Sequence, residues 1–172
     1  MEAQRSKVYF IDVTNRDGVQ ASRIKLAKLQ KTMVNYYLGQ LGIYQSEFGF
    51  PALWHEQSYI EANLRLAEKG AMGNLVLEGW CRALISDVEE AAQRTRVRHF
   101  NLSIPTSEQM IQGKLRGKFT PEDVIQCMVD AVHAAKETGA LTIGVNAEDA
   151  SRSDLDYLIH FALAAKEAGA DR

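Results

Sequence analysis

The chain is poor in the features that announce the commonest functional classes. Its 172 residues contain only two cysteines, Cys81 and Cys127. That number and spacing exclude a disulfide framework and a zinc-finger pattern, and fit reduced thiols in a cytoplasmic protein. No apolar run approaches the length of a membrane span, so no membrane-crossing helix is expected. The opening MEAQRSK lacks the apolar centre of a signal peptide. Basic excess is absent too: the net charge is −2, which argues against nucleic-acid binding through a positive surface. There is no Gly-x-Gly-x-x-Gly, no P-loop and no Gly-x-Ser-x-Gly, which sets aside the usual dinucleotide, NTP and serine-hydrolase readings. The four histidines show neither His-x-His nor His-x3-His spacing, and His99 falls at the start of a strand, so none is read as a metal ligand.

What is present is an ordinary globular composition, 46% apolar and 24% charged. Apolar runs alternate with amphipathic ones. Strands are expected at residues 8–13, 43–50, 99–104 and 141–145, and another begins at 74–77 and leads into EGWCRA. Helices are expected at about 22–41, 54–69 and 84–96, then from a cap at Thr120 and from a cap at Ser153 with Asp156 as its box partner. The first helix is expected to bury Leu26, Leu29, Met33, Tyr37 and Leu41. The fourth should bury Val124, Met128, Ala131, Val132 and Ala135, and the fifth Leu155, Leu158, Ile159, Ala162 and Leu163. Strand and helix in turn, five times, imply an α/β fold with a parallel sheet and right-handed crossovers.

Two architectures fit: a complete five-stranded doubly wound sheet, or part of a (β/α)8 barrel. Three helices end in related text, AEKGAM at 67–72, AAKETGALT at 134–142 and AAKEAGADR at 164–172. In the first two a strand follows the glycine. In the third the chain stops where a strand should begin. The expectation is therefore a partial TIM barrel of about five βα units, residues 1–172 being the N-terminal part of one catalytic domain that stops before strand six.

Ligands of parallel α/β folds sit at the C-terminal ends of the strands. Residues 8–20, VYFIDVTNRDGVQ, turn abruptly polar there. Arg16 beside Asp17 is a combination that can hold an oxyanion and a metal together. It is equally a strand-to-helix turn, since Asp-Gly is a common turn pair. Other polar strand ends shift the balance towards a site: Glu47, Asn101 and Ser103, then Asn146, Glu148, Asp149 and Arg152. Each has a plainer reading, Glu47 as a helix cap and Asp149–Arg152 as a surface ion pair. The basic run KLRGK at 114–118 is a solvated loop or a phosphate contact.

DVTNRDGVQ at 12–20 resembles the D-x-T-x-R-D-G-x-Q signature of the DRE-TIM metallolyases. SEFGFP at 46–51 is similar to that family's second-strand Glu-x-Gly-Phe-Pro, and NAEDASRSDLD at 146–156 to its fifth-strand Glu-Asp segment. The resemblance implies a (β/α)8 barrel, a divalent cation (Mg2+ or Mn2+) and a Claisen-type condensation of acetyl-CoA with a 2-oxo acid. It implies Asp17 as a metal ligand and Arg16 as the group that stabilises the keto-acid oxygen. Gln20, Glu47 and Asn101 would line the acid pocket, and Glu148 would be the acid/base glutamate. Asn15 and Val19 depart from the commoner T-L-R-D-G-E-Q, and Asn101 stands where many relatives have histidine. With QSEFGFP, these departures look most like the Re-type citrate synthases, which use oxaloacetate; isopropylmalate and homocitrate synthases are the alternative. The family's remaining metal ligands, a His-x-His pair on strand seven, have no counterpart here, so this stretch alone is expected to be inactive. A homodimer is the expected state of the whole protein. Two non-enzymatic readings stand beside it: a partial-barrel interaction module, and a complete five-stranded binding domain.

Overall fold

The computed structural model describes residues 7–172. Five parallel strands pair strictly in chain order: β1 (Ile11–Asp12), β2 (Gln45–Gly49), β3 (Val76–Arg82), β4 (His99–Pro105) and β5 (Thr142–Glu148). Between and after them come α1 (Lys28–Gln40), α2 (Trp54–Glu68), α3 (Ile85–Arg94), α4 (Glu108–Gly113), α5 (Pro121–Glu137) and α6 (Leu155–Ala168). This order separates the two architectures. A doubly wound sheet reverses direction at a switch point, which puts helices on both faces. A sheet that always advances, with right-handed crossovers, keeps every helix on one side, as a barrel requires.

Register shows the same division residue by residue. Glu47 pairs with Glu78, Trp80 with Asn101, and Asn101 with Gly144, so these four side chains and the Gly144 position share one face. That face is polar. The alternate positions Phe48, Leu77, Cys81, Phe100, Leu102, Ile104 and Ile143 are buried in the core. They meet Ile60, Val88, Val124, Met128, Val132 and Phe161 from the helices. Truncating Phe100 to alanine in such a core costs about 3–5 kcal/mol.

The buried face expected for α5 is found in full, opened by the Thr120–Asp123 capping box. Gly42, Gly70, Gly139 and Gly169 all sit at positive φ where helices α1, α2, α5 and α6 give way to the next segment. That left-handed geometry is open to glycine with no Cβ penalty. After Gly169 the backbone turns onto the sheet. Asp171 N–H donates to Ile143 O and Val145 N–H to Arg172 O, both at 2.8 Å, so residues 171–172 line up beside β5.

Several expectations need correction. β1 is only two residues long, since it pairs with β2 alone among the described residues. The first helix starts at Lys28, because Arg23 at φ +70 breaks the run. α4 is a short helix inside what reads as a basic connection. β3 starts at Val76, two residues later than expected, and β5 runs further than expected, to Glu148. α6 is capped by Asp154, which accepts from Tyr157 N–H at 2.9 Å, and Ser153 bonds Thr106 instead. The buried faces of α1 and α6 are also reassigned. α1 buries Lys31 and Asn35, whereas Leu29 and Leu41 are 72% and 76% exposed. α6 buries Phe161, Ala165 and Ala168 and exposes Leu155, Ile159 and Leu163. Both apolar stripes are left exposed, and no described element covers them.

Candidate functional site

The loop after β1 is wound tightly. The N–H groups of Arg16, Asp17 and Gly18 all point at Val13 O, at 3.2, 2.9 and 3.1 Å. Asp12 accepts from Thr14 N–H and Thr14 Oγ–H, both at 2.9 Å, which ends the strand. This winding turns Arg16 over the polar face of the sheet and leaves Asp17 pointing outward.

Arg16 is clamped from three sides. Its Nε donates to Glu47 Oε1, its Nη1 donates to Asp17 Oδ1 at 3.1 Å, and its guanidinium lies 5.1 Å from the centre of the Trp80 ring. Glu47, 1% exposed, is no helix cap. Its second oxygen accepts from Asn101 Nδ2, so the carboxylate is paired and hydrogen-bonded as a buried charge must be. Arg16 Nη2 makes no hydrogen bond among the described residues, which leaves one edge of the planar fork available to an incoming carboxylate or oxyanion.

Asp17 is 62% exposed and engages Arg16 through Oδ1 only. Its Oδ2 can take a cation, so it fits as one ligand. Among the described residues no group of three His, Cys, Asp or Glu side chains converges as a metal site. A complete site therefore needs donors beyond these.

Glu148 ends β5, and Lys114 Nζ binds both its oxygens at 2.8 and 2.7 Å. A small cavity of about 80 Å3 is lined by Trp80, Arg82, Ser103, Lys114 and Glu148. Trp80 thus adjoins both the Arg16 guanidinium and the cavity that Glu148 lines. Asp149, at φ +66, accepts from Ser107 and pairs with Arg152 at 2.6 Å. Arg152 and then Ser107 hold its carboxyl below the usual carboxylate range. The surface-bridge reading of Asp149 and Arg152 is the one found. Gln20 lies exposed in the 3-10 turn Gly18–Gln20 and is not drawn into the Arg16–Glu47–Asn101 group.

Sequence reasoning missed Trp80, and it missed a second ion pair on this face, built on a buried glutamate. Glu78, fully buried, takes Arg172 on Oε1 while its Oε2 has no hydrogen-bond partner among the described residues. Burial pushes its carboxyl up and Arg172 opposes the shift. A glutamate inside the apolar strand NLVLEGW was the available signal.

Among the described residues, no helix is long and apolar enough to cross a membrane. The HMGL-like family model matches residues 7–172. The chain is 56% identical over 167 residues to a citrate (Re)-synthase of Dehalococcoides mccartyi, covering 96% of this chain and 40% of that protein. It is 38% identical to 2-isopropylmalate synthase 2 of Caldanaerobacter subterraneus (96% and 41% covered) and 32% identical to homocitrate synthase 1 of a Nostoc species (97% and 42%). The chain thus spans about two fifths of the length of these curated relatives. A crystal structure of HMG-CoA lyase from Brucella melitensis superposes with a TM-score of 0.67 at 17% identity, over 95% of this chain and 59% of that one. The strand order, the polar sheet face bearing Arg16, Glu47 and Asn101, and these matches agree: the chain is a partial TIM barrel and belongs to the HMGL-like family, the DRE-TIM group its first-strand motif resembles.

Proposed function

We propose that residues 1–172 are the first five units of one barrel domain, and that the whole protein condenses acetyl-CoA with oxaloacetate to give citrate. The observation that carries this reading is the Arg16 clamp. A guanidinium is held by a buried glutamate at a strand end, with one edge open. The 56% identity to a citrate (Re)-synthase favours oxaloacetate over the substrates of isopropylmalate and homocitrate synthases.

In this reading Arg16 binds the 2-oxo acid and neutralises the oxygen on which charge develops, a preorganised role worth about 3–4 kcal/mol. Glu47 and Asn101 hold it in place, and Gln20 joins the acid pocket. Glu148 handles the proton: a methyl proton leaves acetyl-CoA, the resulting carbanion bonds to the ketone carbon, and the former ketone oxygen is protonated. Water then cleaves the thioester and frees CoA. Lys114 holds the Glu148 side chain through both of its oxygens. Asp17 is one ligand of a divalent cation, Mg2+ or Mn2+, which when bound supplies Lewis-acid polarisation of a carbonyl. A homodimer in the cytoplasm, where Cys81 and Cys127 stay reduced, completes the reading.

The test is a side-by-side assay of the whole protein with acetyl-CoA and oxaloacetate, 2-oxoisovalerate or 2-oxoglutarate, following CoA release. Preference for oxaloacetate is expected; preference for either other acid moves the protein to the alternative synthases. Asp17→Asn should abolish cation-dependent turnover and leave the fold intact, since Asp17 is largely solvent-facing. Unchanged turnover in that variant removes Asp17 from the cation site.

A further inference from the structure

Behind the Arg16–Glu47 pair lies a buried polar cluster in which every arm meets at one side chain. Asn35, on α1, is fully buried. Its Oδ1 accepts from Asn15 Nδ2 at 2.8 Å and from Ser46 Oγ at 3.0 Å. Its Nδ2 donates to Tyr59 Oη at 3.1 Å and to Asn63 Oδ1 at 3.0 Å. All four hydrogen-bonding positions of the amide are filled.

The two acceptor arms carry the consequence. Asn15 immediately precedes Arg16, and Ser46 immediately precedes Glu47. One oxygen atom on α1 therefore ties down the neighbours of both partners in the clamp. Asn15 is further held by Lys31 O at 2.8 Å. The donor arms anchor the hub to α2: Tyr59 Oη–H donates to Phe48 O at 3.1 Å, and Asn63 donates to Thr32 Oγ and Tyr59 O. Asn15, Ser46 and Asn63 are each fully buried, so water offers none of them a substitute partner.

We propose that Asn35 is a positioning residue for the condensation. Through Asn15 and Ser46 it sets the distance between the β1 loop and β2, and hence the geometry of the Arg16–Glu47 pair. The inference rests on the condensing reading for its kinetic test, but not for its spectroscopic one.

The kinetic test is a cycle in the whole protein, combining Asn35→Ser with Arg16→Lys and reading kcat and KM with acetyl-CoA and oxaloacetate. Asn35→Ser should lower kcat by on the order of tenfold to a hundredfold, the cost of a small misplacement, with little change in KM for acetyl-CoA. In the Arg16→Lys background the same change should cost less than about threefold, because the group it positions is already gone. Ser46→Ala removes one arm and one hydroxyl, and should lower kcat more mildly with the same suppression. If Asn35→Ser fails to fold, Ser46→Ala decides. Equal losses in both backgrounds, or unchanged kcat in the single variants, overturn the proposal.

The spectroscopic test uses Trp80, which lies under the Arg16 guanidinium. Subtracting the emission of the matching Trp80→Phe protein isolates its signal. Asn35→Ser or Ser46→Ala should shift that emission, and an unshifted signal overturns the proposal. Wild-type protein that condenses no 2-oxo acid defeats the condensing reading, and the Trp80 signal then decides the positioning role alone.

Discussion

The buried Glu47 carboxylate is the place where the structure makes its sharpest energetic statement. It accepts two hydrogen bonds, one from the Arg16 guanidinium and one from the Asn101 amide, and it is almost wholly removed from water. Glu47→Gln keeps the shape and removes the charge. The introduced amide can still accept from Arg16 through its oxygen, and Asn101 can turn its own amide so as to accept from the introduced NH2 group rather than donate. Two bonds to a charged group become weaker bonds to a neutral one, each worth about 1 kcal/mol less. The expected loss is about 2 kcal/mol, or about 4–8 °C in melting temperature for a domain of this size. Glu47→Leu is a different perturbation, because it leaves Arg16 without its buried partner. That should cost about 3–5 kcal/mol, the usual penalty for breaking one side of a buried pair. Replacing both partners, with Arg16→Met and Glu47→Leu together, should recover much of the loss while abolishing turnover. Thermal unfolding followed by circular dichroism measures all three. A Glu47→Leu protein as stable as wild type, or less damaged than Glu47→Gln, would refute the pairing argument.

Three further outcomes follow from other parts of the molecule. A Cβ added at Gly144 would lie 2.5 Å from Arg172 Nη2 and 3.0 Å from Asn101 Oδ1, so Gly144→Ala should displace Arg172 from Glu78; a crystal structure of the variant with that ion pair unchanged contradicts this. Burial, then Arg172 and Arg98, hold the His99 imidazole below its ordinary pKa, so the folded chain favours the neutral ring. The resulting stabilisation is present above the unfolded value of about 6.5 and is lost as pH falls through the lower folded value. His99→Gln should therefore flatten the acid side of a plot of unfolding midpoint against pH, and an unchanged slope counts against it. Cys81 is fully buried and burial pushes its thiol up, whereas Cys127 is half-buried. A thiol reagent should label Cys127 first in the native chain and both only after denaturation; early labelling of Cys81 contradicts the packing.

The strand ends were legible because chemistry there interrupts apolar text. Arg16, Asp17, Glu47 and Glu148 stand out against the strands they terminate, and the structure puts Arg16 beside both Asp17 and Glu47. α5 was legible for a simpler reason: its apolar stripe packs directly on the sheet and on α3 and α6. The same periodicity misled for α1 and α6. A stripe of Leu29, Met33 and Tyr37 states that a helix has an apolar side, but not whether that side meets the sheet or a neighbouring helix around the ring. The inward side of α1 is polar because it has partners waiting. Lys31 pairs with Glu56 at 2.9 Å and lies 4.4 Å from the Tyr59 ring centre, while Asn35 joins the amide cluster. Such partners are distant in sequence, and pattern within one helix carries no trace of them. Trp80 and Glu78 were hidden similarly, since only the β2–β3 and β3–β4 registers reveal which face they share.

The division of the sheet into an apolar outer face and a polar inner face separates two kinds of mutational consequence. Phe100, Leu102 and Ile143 face the helices and answer for folding, while Asn101 and Gly144 alternate with them on β4 and β5 and share the polar face with Glu47 and Trp80. Under the proposed function, substitution at the inward positions would alter which acid is accepted while the outward positions keep the fold. That arrangement gives a physical route by which one scaffold could diverge among relatives that build citrate, isopropylmalate and homocitrate.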